Sequence, residues 1–143
     1  MAATETSICN SALIKVGAQR ILSLDESNER ARLCKEQYEK NRDELLFAHP
    51  WNFATARAEL APTVTEPIFG SLKQFQLPTN VLRVYGTNLS PEQDWTVEGR
   101  LLLADAETIK IKFIRNDVPT SEYPPSFIEV LATKIAADIA FLS

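Results

Sequence analysis

Trp95-Thr96-Val97-Glu98-Gly99-Arg100-Leu101-Leu102-Leu103, with Asp105-Ala106-Glu107 and residues 108–114 behind it, is the stretch on which the fold turns. Trp95 and Val97 alternate with Thr96 and Glu98, the period of a half-buried strand. Glu98-Gly99 reads as a tight turn into residues 101–103, because glycine supplies the backbone angles that a two-residue hairpin needs. Asp105-Ala106-Glu107 turns again, and in residues 108–114 Ile109, Ile111 and Phe113 share a face opposite Lys110 and Lys112. Upstream, Leu72, Gln74 and Gln76 alternate with Lys73, Phe75 and Leu77 as an edge strand stopped by Pro78. Residues 81–85 form another strand candidate closed by Gly86. Seven of the eight prolines lie from Pro62 to Pro125, where helical periodicity vanishes. The sum is one small antiparallel meander, half buried.

On either side the period becomes helical. Residues 4–18 place Ile8, Ala12, Leu13 and Val16 on one face, with Thr4 or Thr6 as cap and Gly17 as stop. Ser23 and Glu26 have capping-box spacing, with Asp25 as the other candidate cap. A second helix is expected from about 25 to 48, roughly 35 Å long. Its stripe is Ala31, Cys34, Tyr38, Leu45 and Ala48, broken by polar Asn41. Glu26 before Arg30 and Glu36 before Lys40 support the outer face. His49-Pro50 ends this helix, since a residue before proline is pushed out of the helical region. Trp51 and Phe53 follow at once and are read as filling a gap between helices and sheet. After Pro124-Pro125, Ser126 is the expected cap of a last helix striped by Phe127, Leu131, Ile135, Ile139 and Leu142, with Ala132, Ala136 and Ala140 allowing close approach. Its abrupt apolar end at Phe141-Leu142 implies a longer chain or a partner there. The expected fold is therefore α+β, mainly a helical bundle of two N-terminal helices and a C-terminal helix with one inserted antiparallel sheet. It forms a single domain over residues 1–143, with a helical core at 1–60 and 124–143 and a β-rich insertion at 62–123.

Composition narrows the chemistry. Fifteen basic against nineteen acidic residues give a net charge of −4, which disfavours tight nucleic-acid binding. No apolar run approaches the ~18 residues of a membrane span, and the first residues do not read as a signal peptide, so a product of the cytoplasm is expected. The single histidine, His49, sits at a helix C-terminus and reads as a cap rather than a catalytic base. The four glycines, at 17, 70, 86 and 99, are isolated, so no phosphate-cradling loop is expected. Cys9 and Cys34 read as reduced, buried small hydrophobes, and with His49 they lack zinc-ligand spacing. No cofactor or metal is expected. Glu36, Glu39, Asp43 and Glu44 crowd the second helix at spacings that suit a carboxylate pair. Arg32, Lys35, Lys40 and Arg42 are interleaved with them, as on a solvated, salt-paired face. The two-lysine face of Lys110 and Lys112 is normal for an exposed strand.

Several segments together resemble a known family. They are Cys9-Asn10-Ser11-Ala12-Leu13, Val16-Gly17-Ala18-Gln19-Arg20-Ile21, Ser23-Leu24-Asp25, and Arg42-Asp43-Glu44-Leu45-Leu46 running into Ala48-His49-Pro50-Trp51-Asn52-Phe53-Ala54. Arg57-Ala58-Glu59-Leu60, Phe75-Gln76-Leu77-Pro78, Val81-Leu82-Arg83-Val84 and the stretch from Trp95 to Leu103 follow in order. The chain resembles the tail tubular protein A family, the head-to-tail adaptor or gatekeeper proteins of short-tailed bacteriophages, and the aromatic block His49, Pro50, Trp51, Asn52 and Phe53 is its most specific part.

The resemblance implies a structural virion protein without enzyme activity, made in the host bacterial cytoplasm and located in the neck of the tail. It implies a homo-oligomeric ring of about twelve copies under the portal protein, closed by symmetry. Such a ring would extend the DNA channel, join it to the tail nozzle protein of tail tubular protein B type, and let DNA pass without specific binding. In the family a segment beyond the last helix docks on the portal, which makes Phe141 and Leu142 the candidate portal-proximal end. Arg30, Lys35 and Arg42 on the second helix, and Arg83, Trp95 and Arg100 on the sheet, are candidate subunit contacts. The alternatives are a virion-associated peptidoglycan glycosidase using Glu36 with Asp43 or Glu44, and a non-viral interaction module.

Overall fold

The computed structural model describes residues 2–70 and 73–142, and of Leu142 only the backbone. The readings placed on Leu72, on Ser143 and on the Leu142 side chain lie outside the described residues. The chain divides into two compact units, one made of the segments up to His49 and from Val118 onward, the other of Pro50–Asp117.

The first unit holds α1 (Glu5–Lys15), α2 (Glu29–Ala48) and α3 (Pro125–Asp138). Thr4 caps α1 reciprocally. The Ser7 amide donates to Thr4 Oγ1 at 3.0 Å, and the Thr4 amide donates to Ser7 Oγ at 2.9 Å. At the other end Gly17, at φ +78°, donates to the Ile14 carbonyl while Ala18 donates to Leu13. This is the Schellman arrangement, in which the left-handed residue lets the chain satisfy two loose carbonyls.

Helix α2 begins four residues later than its sequence implies. Ser23 Oγ accepts from the Asp25 amide, and the Glu26 carboxylate accepts from the Leu22 amide and from Asn28 Nδ2. The Ser23–Glu26 pair is thus used in a turn ahead of the helix, Asp25 reaches Lys35 instead of an amide, and Asn28 is the cap, its Oδ1 accepting from the Ala31 amide at 2.8 Å. Glu26 and Arg30 therefore do not share one helix. Helix α3 likewise lacks the expected Ser126 cap. Pro124 holds that position and Pro125 is the first helical residue, where its missing N–H costs nothing. Helix α3 packs on both α1 and α2. The buried faces are Ile8, Cys9, Ala12 and Leu13 of α1, Ala31, Cys34, Tyr38, Leu45 and Leu46 of α2, and Phe127, Leu131, Ala132, Ile135 and Ala136 of α3.

The second unit corrects the expected architecture. Among the described residues the chain is α+β with three α-helices and two small antiparallel sheets, 38% helix with the 3-10 turns and 23% strand, not a mainly helical bundle carrying one sheet. Its strands are β1 (Thr55–Leu60), β2 (Lys73–Gln76), β3 (Val81–Thr87), β4 (Trp95–Glu98), β5 (Leu101–Ala104) and β6 (Ile109–Arg115). One sheet has the order β1-β6-β3 and the other β2-β5-β4. The hairpin at Gly99 forms as expected, pairing Glu98 with Leu101. The turn at residues 105–108 does not make a second hairpin. It carries the chain from the centre of one sheet to the centre of the other, so no single meander exists.

The physical reason lies in the core. Phe75, Leu102 and Ala104 of one sheet meet Val81, Ile109, Ile111 and Phe113 of the other in one buried cluster. A single three- or four-stranded sheet would leave that many large side chains in water on one face. Strand β1 supplies Ala56, Ala58 and Leu60 to the same cluster.

Gly99 has φ +61° while Arg100 does not enter the left-handed region, the combination of a type II′ turn. Gly99→Ala is expected to cost about 1–2 kcal/mol, because a Cβ at positive φ meets the carbonyl oxygen. Urea denaturation of the variant checks this, and an unchanged midpoint would contradict the turn geometry.

Candidate functional site

The aromatic block opens the second unit. His49 is the last residue of the first unit and the C-cap of α2, with the extended backbone that Pro50 imposes. Asn52–Ala54 forms one 3-10 turn, and the half-buried rings of Trp51 and Phe53 stand 6.0 Å apart at 58°. The Thr55 hydroxyl donates to the Trp51 carbonyl at 2.8 Å, leaving its lone pairs to the Tyr85 hydroxyl at 2.9 Å. The block is thereby tied to β1 and β3. Beside it, Pro50, Arg83, Tyr85 and Ile114 line a depression of about 250 Å³.

The carboxylates of α2 are placed as a salt-paired face. Glu44 accepts from Lys134 of α3 at 2.8 Å and lies 3.9 Å from Lys40. Arg42 lies 3.0 Å from Asp43 and 3.8 Å from Glu39, and Glu36 is exposed. The hydrogen bond from Lys134 holds the Glu44 carboxyl below its ordinary 4.5, the opposite of what a proton-donating glycosidase acid requires. Arg115, at 2.6 Å, likewise holds Asp117 below 3.8.

Both folded values are depressed, so the stabilisation from these carboxylates is present above their unfolded values. It is lost as pH falls through the folded ones. The urea midpoint is therefore expected to fall as pH drops below about 5. Lys134→Met should flatten part of that fall, and an unaltered pH profile would mean that the Glu44 pair is not formed.

Between these charges lies a residue that the helical stripe presents only as a gap. Asn41 is 1% exposed. Its Nδ2 donates to the Gln37 carbonyl at 2.7 Å and to Asp138 Oδ2 at 2.9 Å, while Lys134 Nζ donates to its Oδ1 at 3.4 Å. A polar residue at a stripe position is a signal that a neighbouring element offers it partners.

Cys9 and Cys34 are both fully buried, and the Cys9 thiol points at the Cys34 carbonyl, 3.9 Å away. The adjacent Cys34 and burial push the Cys9 thiol well above its ordinary range. Tyr38, also buried, is pushed up by burial and by the neighbouring Tyr123 hydroxyl. Cys34 shifts the other way, held below its ordinary range by the hydrogen bond from the Cys9 thiol, while the buried Cys9 and Tyr38 keep their protons.

The candidate contact residues divide by what else they hold. Arg100 is exposed but donates from its guanidinium to the carbonyls of Val81, at 2.7 Å, and Pro78, fixing the turn between β2 and β3. Trp95 packs against the inter-sheet core. The Arg42 side chain is only 16% exposed. Burial works against its charge, but Asp43 overrides this and raises its pKa. Arg30 has a buried Nε without a hydrogen-bond partner. Lys35 is exposed and reaches Asp25 at 3.3 Å. Arg83 is exposed, and Phe141 stands in water on a terminal 3-10 turn.

Apolar exposure also occurs away from the candidate residues. Val64, Ile68 and Phe69, between β1 and β2, are 102%, 100% and 88% exposed. The signal was present as large apolar residues flanked by Pro62 and Pro67 where no strand or helix period accounts for them.

Among the described residues no group of three His, Cys, Asp or Glu side chains is arranged to hold a metal ion, and no helix is long and apolar enough to cross a membrane. No protein-family model matches the chain, and no curated protein shows significant similarity to it.

Proposed function

We propose that the chain is a structural subunit of a head-to-tail adaptor, assembled as a ring under a phage portal and passing the DNA channel on to the tail nozzle. The observation that carries this reading is the ordered resemblance of segments from Cys9 to Leu103 to the tail tubular protein A family, centred on the block from His49 to Ala54. Three features of the molecule support it. Val64, Ile68 and Phe69 project fully into water, an arrangement expected of a surface that is covered in an assembly. Asp43 and Glu44, the partners that a Glu36-based hydrolase would need, are engaged by Arg42 and by Lys134 and Lys40. A net charge of −4 suits a channel wall past which DNA slides without being held.

The reading is tested by producing particles without this protein. They are expected to retain the portal and lack the nozzle, and adding the purified protein should restore nozzle attachment. Nozzle-bearing particles formed in its absence would refute the adaptor role.

A further inference from the structure

The loop of residues 61–70 is held in place rather than loose. The Thr63 amide donates to the Gln74 carbonyl at 2.8 Å, and Thr63 Oγ1 donates to the Thr65 carbonyl at 2.7 Å. Pro62 and Pro67 restrict the backbone further. Pro67, Ile68, Phe69 and Gly70 lie along the outer face of the β2-β5-β4 sheet, beside Leu101 and Leu103. This pinned loop carries three apolar side chains in water and a single charge, Glu66.

The outer face of the other sheet has a complementary form. A depression of about 440 Å³ opens there, walled by Arg57, Glu59, Lys110 and Lys112 around Gly86. Gly86 leaves the space because it has no side chain, and a Cβ built there would meet only Lys112 Cβ, at 3.7 Å. Glu59 reaches Lys110 at 4.0 Å, and Lys112 lies over the Tyr85 ring at 5.3 Å, so three cations face one carboxylate. Aliphatic stems under cationic heads suit an apolar segment that brings an acid. The chain's own loop lies along the opposite sheet, on the far side of the shared core, so a loop that fills the depression belongs to another molecule.

We propose that the depression receives the residue 64–69 loop of a second copy of this chain, with Ile68 and Phe69 entering over Gly86 and Glu66 facing Arg57, Lys110 and Lys112. Because loop and depression are different surfaces, the contact is head-to-tail and generates a ring or a filament. It rests on the ring reading for closure alone; the pairwise contact is a property of the isolated protein.

The test is sedimentation velocity up to about 1 mM, the weak end of specific association. The variants are Ile68→Ser with Phe69→Ser on the loop, and Gly86→Leu or Lys112→Glu in the depression. Wild type is expected to self-associate with rising concentration, and either class of variant to weaken this about tenfold or more. Both classes should keep the wild-type circular dichroism spectrum and melting behaviour. A loop variant mixed with a depression variant is expected to give one-to-one dimers and nothing larger, since each supplies the half that the other lacks. A wild type that stays monomeric, association untouched by the variants, or a mixture without dimers would overturn the contact. Co-elution of the same variants with a portal ring separates the two readings: binding to the portal without the loop contact removes only this inference, whereas a real loop contact without portal binding removes only the adaptor role.

Discussion

Phe127→Ala is expected to destabilise the helical unit by about 3–5 kcal/mol. Phe127 is fully buried on α3, with its ring edge-on to Tyr123 at 4.9 Å and 71°. Removing it leaves a void in a core built from three helices, where the surrounding chain relaxes only in part. It also removes an aromatic pair that contributes beyond its buried area. Urea unfolding followed by helical circular dichroism measures the loss. A change of about 1 kcal/mol, the average for any substitution, would show that α3 does not bury this face.

Asn41→Ala is expected to cost about 1–3 kcal/mol, for a different reason. The loss is of partners as well as volume, because Asp138 and Lys134 lose the amide that bridges α2 to α3. Asn41→Leu should lose less than Asn41→Ala. Leucine refills the space, and Asp138 still has Lys40 at 3.8 Å. The same urea experiment separates them: the loss that persists in Asn41→Leu is the share of the amide network, and a leucine variant as stable as the wild type would mean that the network contributes nothing beyond packing.

Asn41 also shows where reading the sequence stopped. The stripe on α2 was legible from spacing alone, and so were the Gly17 stop, the Pro50 break and the Gly99 hairpin, because each is decided by residues within one turn of the chain. The partners of Asn41 come from α3, nearly a hundred residues away, and no local pattern names them. Strand β1 was missed for a related reason. Ala56, Ala58 and Leu60 face the core and alternate with exposed Arg57 and Glu59, a strand period. Its residues are nevertheless strong helix formers, and tertiary pairing with β6 overrode their propensity. The division into two sheets was invisible because a short turn at residues 105–108 serves equally to close a hairpin or to cross between layers. Only the joint burial of Phe75, Leu102, Ile111 and Phe113 decides it. At the candidate surface, Trp95 and Arg100 were singled out as anchors by residue type, whereas the core holds one and a turn holds the other. The exposed Phe69 carried no periodicity to mark it.

The adaptor role is tested most directly by the mass of the complex formed with a portal ring, measured by light scattering after gel filtration. Saturable co-elution is expected at about one copy per portal subunit, roughly twelve in a closed ring. A portal that elutes at its own mass with the protein in excess would contradict it.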